Sequence, residues 1–286
     1  MMKSQIEMAY NELIRRFISW ACSREDIRTV FIVGSRARVD HPADEWSDLD
    51  LAIVTRDPEY ILSSSEWLKE IGESWISFIE GTAVGEGNER RVLFEHGLDV
   101  DFAVIPDQRF RKLASSPEVG DIFQRGIHVL LDKDNLTVDS PSSSGKAPDI
   151  PSSFPPSERD FVNLINDFWY HAVWTAKKLL RGELWTAVFC LNCYMHSKVL
   201  RVLECHARAV NGAGYDTWHR GRFLEEWADR RALEGLRSSF AYYDEDDAWR
   251  ALISIMDLFR WLAVETAGRL GFHYPVFEDE RATEWV

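Results

Sequence analysis

Apolar side chains recur at helical spacing over residues 5–21, where Ile6, Tyr10, Leu13, Ile14, Phe17 and Ile18 share one face, and this predicts an opening amphipathic helix capped by Ser4. The period then shortens. Val30 to Val33 is a β-branched and aromatic run ending at Gly34, and Leu49 to Val54 is a second one ending near Asp57-Pro58, so both read as strands. Arg90 to Glu95 and Leu98 to Ile105 are two more, separated by His96-Gly97, where glycine's tolerance of positive φ suits a tight hairpin. Helices are expected over Tyr60 to Ile71 and Asp107 to Ala114, and a last strand over Ile127 to Leu131.

From Ser157 onward the pattern changes to long helical stretches: Phe161 to Leu180 behind a Ser157/Asp160 capping box, Glu183 to Ala209, Arg222 to Phe240, and Asp246 to Leu270 stopped by Gly271. Between the halves lies a stretch rich in serine and proline, with little to bury. The expected fold is therefore α+β: an N-terminal domain over 1–138 with a mixed sheet and flanking helices, a linker over 139–156, and a C-terminal α-helical bundle over 157–286. The length of 286 residues suits two such domains, and no internal repeat is visible.

Charge narrows the partners. A formal net charge of −14 opposes phosphate backbones, and without a basic patch a nucleic-acid role is not expected; a cationic small molecule is the better partner. No apolar run approaches the length of about 18 residues that a membrane span needs, and the charged N-terminus lacks a signal-peptide core, so a cytoplasmic location is expected. Cys190-x-x-Cys193 with His196, Cys205 and His206 could suggest zinc, but the stretch reads as one amphipathic helix with thiols in its core.

The chemistry sits where a strand runs into Gly34-Ser35-Arg36 and, after a polar loop, a second strand begins Ser47-Asp48-Leu49-Asp50-Leu51. Alternation puts Asp48 and Asp50 on one face and Leu49 and Leu51 on the other. Two adjacent carboxylates repel each other unless a cation lies between them, and an oxygen donor set of this kind suits magnesium. Gly34 lets the backbone approach a ligand, the Ser35 and Arg36 amides can face phosphate oxygens, and the Ser35 hydroxyl and Arg36 guanidinium can add contacts.

A third acid is needed both to hold metal and to receive a proton from the attacking hydroxyl, and Leu98-Asp99-Val100-Asp101-Phe102 offers two on one face. Asp101 is preferred because it lies deeper in its apolar run, as Asp50 does in its own; Asp99 is the rival, and Glu95 a weaker third choice. Neither Gly-Ser nor Asp-x-Asp alone means much. Together, with a strand before each and a later strand bearing an acid, they point to nucleotidyl transfer.

At these residues the chain resembles the polymerase-beta nucleotidyltransferase superfamily, and within it the aminoglycoside 6-adenylyltransferases that modify streptomycin. The likeness runs through Gly34-Ser35-Arg36-Ala37, Asp48-Leu49-Asp50, Leu93-Phe94-Glu95 to Val100-Asp101 and Ile105-Pro106. It continues with Asn166-Asp167-Phe168-Trp169, Ala176-Lys177, Arg181, Asp257 to Arg260 and Phe272 to Pro275. The family usually has a tyrosine where Leu49 stands and a glutamate where Asp167 stands, and Asp99 is an addition. The resemblance implies ATP as the nucleoside triphosphate, Mg2+ as the metal, an aminoglycoside as acceptor, and resistance to that drug as the outcome. Another small molecule or a protein hydroxyl is the alternative acceptor.

On the first helix of the second half, Asn163, Asn166 or Asp167, Tyr170, Trp174 and Lys177 fall on adjoining turns of one face. A functional reading lets Asp167 hold a cationic group, with Asp99 assisting, Tyr170 and Trp174 cover a sugar ring, and Lys177 reach the triphosphate. An ordinary amphipathic helix at a domain interface is the other reading. Tyr242 to Asp247 is expected to be a solvated turn that supplies negative charge to the next helix, and His41 to be simple loop.

Overall fold

The computed structural model describes residues 3–38, 42–82, 87–113, 126–135, 154–218 and 220–286. The chain divides into two compact units, Met1–Pro148 and Asp149–Val286. Most of the expected linker and His41 lie outside the described part, and Ser4, expected as the cap of the first helix, lies within that helix, which begins at Lys3.

In the first unit, helix α1 (Lys3–Ser23) buries Tyr10, Leu13 and Phe17 of the stripe read from the sequence, together with Ala21, while Ile6, Ile14 and Ile18 are half-buried. It packs on a six-stranded sheet of order β3-β4-β5-β2-β1-β6, built from β1 (Ile27–Val33), β2 (Leu49–Thr55), β3 (Ser74–Gly81), β4 (Asn88–Phe94), β5 (Leu98–Pro106) and β6 (His128–Asp132). Only β2 and β5 pair in parallel, and their connection carries β3 and β4. Leu49, Leu51 and Ile53 of β2 and Val100, Phe102 and Val104 of β5 point to the α1 side, where Phe102 meets Phe17, Trp67 and Phe94. The opposite face carries the polar residues at the entrance to β2 and a smaller cluster of Phe31, Ala52, Val54 and Phe110, the last on α3 (Asp107–Leu113).

Two departures from expectation have local causes. The helix expected over Tyr60 to Ile71 is α2 (Pro58–Ser63) followed by a separate 3-10 turn, Glu66–Glu70. Ser64 turns extended between them and its Oγ accepts from the Glu66 amide at 3.2 Å, a local bond that competes with helix propagation. β3 was not expected at all. Its sequence is β-branched and aromatic, yet seven of its eight positions are exposed, so no alternation marks it. The Glu95–Gly97 connection turns through positive φ at both His96 (67°) and Gly97 (75°), as the hairpin requires.

The second unit is helical. Helix α4 (Glu158–Leu180) starts at Ser157, whose Oγ accepts from the Asp160 amide at 3.1 Å. It packs on α9 (Glu245–Leu270) through Phe168 and Phe259, whose rings stack at 3.6 Å. The Glu183 to Ala209 stretch forms α5 (Leu184–Phe189), a π-helical turn over Cys190–Met195 and α6 (His196–Asn211) without a break. Cys190 is buried within it, whereas Cys193 is exposed. The stretch Arg222 to Phe240 divides into α7 (Leu224–Trp227) and α8 (Arg230–Ser239), because Ala228 is extended and Asp229 caps the second helix. Asp244 caps α9 by accepting from Asp247, so the acidic run is a helix start. A further helix, α10 (Val276–Trp285), was not expected; Asp279 ties it to Arg260 of α9 at 2.8 Å. Among the described residues no helix is long and apolar enough to cross a membrane.

Candidate active site

The parallel register of β2 and β5 sets Asp50 directly beside Asp101. Asp48 stands just before β2, and ligand oxygens of Asp48, Asp50 and Asp101 all lie within 4.8 Å of one another. Each acid is placed by its neighbours: Leu49 and Leu51 are fully buried on the α1 side, as are Val100 and Phe102, so strand parity turns the acids to the other face.

Gly34 closes one side. Its φ is +69°, and a Cβ there would press into Asp50 Oδ2 and lie 3.1 Å from Asp50 Cγ, so both conformation and space call for glycine. Ser35 follows on a short 3-10 turn, and its buried Oγ has no protein partner. Arg36, expected at phosphate oxygens, commits Nε to the Asp48 carbonyl at 2.9 Å and Nη2 to the Ser47 carbonyl at 2.8 Å, while its guanidinium covers the Tyr10 ring at 3.7 Å. It clamps the entry to β2. Tyr10 in turn accepts from the Asp99 amide at 3.1 Å, so α1, the Gly34 turn and β5 are tied together behind the acids.

Asp101 is the most buried of the three acids. Arg91 on β4 donates from Nη2 to its Oδ2 at 2.6 Å and also lies 2.8 Å from Glu80 and 3.2 Å from Glu89. Burial nevertheless outweighs the attraction of Arg91 and pushes the Asp101 carboxyl up to about 6. Asp101 Oδ1 is buried without a protein partner. Asp99 is exposed as a residue, yet its carboxyl also titrates above the usual range, first from burial and then from the charge of Asp48. Orphaned buried oxygens on Asp101 and Ser35, beside clustered carboxylates, are a hard-oxygen donor set that fits a divalent cation.

The remaining predicted residues belong to the second unit. Asp167 is not an open acid: Lys198 lies 2.7 Å away, Tyr194 Oη donates at 3.0 Å, and His171 Nδ1 is 2.8 Å from its Oδ1. Burial works to raise its pKa, but the bonds from Lys198 and Tyr194 prevail and hold it below the usual value. Tyr170 is exposed, and Trp174 lies near His171 and under the Lys178 ammonium. Lys177 is exposed and sits 5.2 Å from the Trp285 ring. Sequence reading missed Tyr10, Arg91, His171, Tyr194 and Lys198. Tyr10 lay on a predicted apolar stripe, His171 lies one turn after Asp167 on the same helix, where i,i+4 spacing could have found it, and the others lie on neighbouring elements whose pairing no local pattern reveals.

A profile of the streptomycin adenylyltransferase family matches residues 8–286. The chain is similar to the aminoglycoside 6-adenylyltransferase of Bacillus subtilis (strain 168), with 24% identity over 96% of this chain and 95% of that protein. It is similar to that of Campylobacter jejuni, also at 24% identity, over 94% of this chain and 91% of that protein. Among solved structures, a Bacillus subtilis aminoglycoside 6-adenyltransferase aligns with a TM-score of 0.44 and 22% identity over 96% of this chain and 95% of that one. With a family profile spanning nearly the whole sequence and the three acids gathered beside the Gly34 turn, the chain belongs to the streptomycin adenylyltransferase family.

Proposed function

We propose that the protein transfers AMP from ATP to a hydroxyl of an aminoglycoside, the 6-hydroxyl of streptomycin in the first instance, with release of pyrophosphate. The observation that carries this reading is the convergence of Asp48, Asp50 and Asp101 beside an orphaned Ser35 Oγ, in a chain whose family profile covers residues 8–286.

In this reading Asp48, Asp50 and Asp101 hold magnesium, which when bound neutralises charge on the triphosphate and on the leaving pyrophosphate. The Ser35 hydroxyl and the Gly34 to Arg36 turn hold phosphate oxygens by backbone and side-chain donors. Arg36 acts from behind by fixing the Ser47 and Asp48 carbonyls, which sets the position of the Asp48 carboxylate. Asp101 takes the proton of the acceptor hydroxyl as its oxygen attacks the α-phosphorus in line. Asp101 Oδ1, buried without a protein partner, is the atom open to that proton. Asp99, on the same face, offers a carboxylate to a cationic acceptor.

The net charge of −14 favours a polycationic acceptor over a nucleic acid. A cytoplasmic site of action follows from the need for ATP. Purified protein with ATP, magnesium and a panel of aminoglycosides tests the reading by pyrophosphate release; no release above background with streptomycin and its relatives contradicts it.

A further inference from the structure

The acids do not stand alone on their face of the sheet. Register places Phe78, Arg91, Asp101 and Asp50 in one cross-strand row, opposite one another on β3, β4, β5 and β2. Ile76, Leu93 and Asp99 form the row on one side, and Glu80, Glu89 and Ala103 the row on the other. Parity along each strand then gives all of them one face. Phe78 and Ile76 are 49% and 58% exposed, whereas Asp101, two strands away, is 6% exposed with Oδ1 unpartnered.

We infer that this strip, running from Asp101 to Phe78, is the platform on which the acceptor lies: a cationic molecule with a flat ring face, resting on Phe78 and Ile76 with its positive groups toward Glu80, Glu89 and Asp99. The inference rests on the aminoglycoside transfer proposed above. Three features carry it. First, the rows are one-sided in charge, since Arg91 is their single cation against Asp50, Asp99, Asp101, Glu80 and Glu89, so the strip complements a polycation. Second, large apolar side chains stand in water on an edge strand, where a protein ordinarily places charges. An aromatic ring with carboxylates beside it is the chemistry that binds ammonium and guanidinium groups. Third, strands lie about 4.8 Å apart, so Phe78 is roughly 10 Å from Asp101, a span that linked sugar rings cover with a hydroxyl left at the acid.

Arg91 stands within the strip, between Phe78 and Asp101, and is the cation that holds Glu80, Glu89 and Asp101 together. Ile79, next to Phe78 but of opposite parity in the regular part of the ladder, pairs with Arg90, faces away from the strip and supplies an exposed control on the same strand.

The test is calorimetric binding of streptomycin, in the presence of magnesium and a non-hydrolysable ATP analogue, to wild type and to Phe78→Ala, Phe78→Trp, Glu80→Gln and Ile79→Ala, with steady-state KM values alongside. Phe78→Ala is expected to weaken streptomycin about tenfold in Kd and KM, as loss of a cation–ring contact does, while KM for ATP stays within about twofold. Phe78→Trp restores binding, Glu80→Gln weakens it severalfold, and Ile79→Ala leaves it unchanged. If Phe78→Ala fails to fold in a thermal melt, Glu80→Gln decides. Streptomycin bound equally well by wild type, Phe78→Ala and Glu80→Gln, with wild-type transfer intact, overturns the platform and leaves the proposed function standing. A wild-type protein that neither binds nor adenylylates any aminoglycoside overturns both.

Discussion

Gly34 and Asp50 occupy the same small volume: a Cβ added to Gly34 would lie 3.1 Å from Asp50 Cγ and press directly on its Oδ2. The turn and the acid are therefore one unit, and Gly34→Ala should displace the carboxylate as well as strain a φ of +69°. We expect turnover to fall by about a hundredfold and stability by roughly 1–2 kcal/mol. Steady-state kinetics with a urea titration checks this, and turnover near wild type would show that Asp50 need not stay where it is.

Asp50→Asn separates charge from shape. The fold should survive, since Asp50 faces away from the main core, but turnover should drop by about a hundredfold or more on loss of a principal electrostatic stabiliser. Unchanged turnover in a folded variant would remove Asp50 from the metal site.

Asp101 gives a prediction about pH. Its folded carboxyl, pushed up to about 6, lies above the unfolded value of about 3.9, so the fold favours the protonated form. Its ionisation therefore costs stability as pH rises from about 4 to 6, and the cost remains above that window. In metal-free protein at pH 7.5, Asp101→Asn should be more stable than wild type by on the order of 1 kcal/mol, with the advantage vanishing below about pH 4. It should also lose most turnover. Thermal melts across pH check the sign, and an Asp101→Asn protein less stable than wild type at pH 7.5 contradicts it. Divalent metal should raise the wild-type Tm and leave that of Asp101→Asn nearly unmoved.

The helical unit should depend on the stacked pair Phe168 and Phe259, both fully buried. Phe259→Ala should cost about 3–5 kcal/mol by leaving a cavity against α4. A urea midpoint within error of wild type would mean that the cavity collapses without loss.

The sequence made some of this legible for definite reasons. Gly34, Asp48, Asp50 and Asp101 could be read because strand parity is a local property, and parity alone fixes which side chains share a face. The long helices α4 and α9 carried clear stripes and caps. What could not be read is pairing between segments. Arg91 reaches Asp101 only because β4 lies antiparallel to β5, and Lys198 and Tyr194 reach Asp167 only because α6 and the π-helical turn before it lie against α4. β3 escaped because a strand exposed on both faces has no alternation to display, and α7 and α8 were merged because Ala228 breaks the helix without a Gly or Pro to announce it. Arg36 shows the limit of motif reading: it follows the Gly34 turn, but its guanidinium holds backbone carbonyls.

The central claim is AMP transfer to an aminoglycoside hydroxyl. Mass spectrometry of streptomycin incubated with the protein, ATP and magnesium tests it most directly. The expected result is a drug species heavier by one adenylyl group, formed with pyrophosphate and absent with Asp50→Asn. Streptomycin and related aminoglycosides recovered unmodified, from wild-type protein that is folded and binds ATP with magnesium, would contradict it.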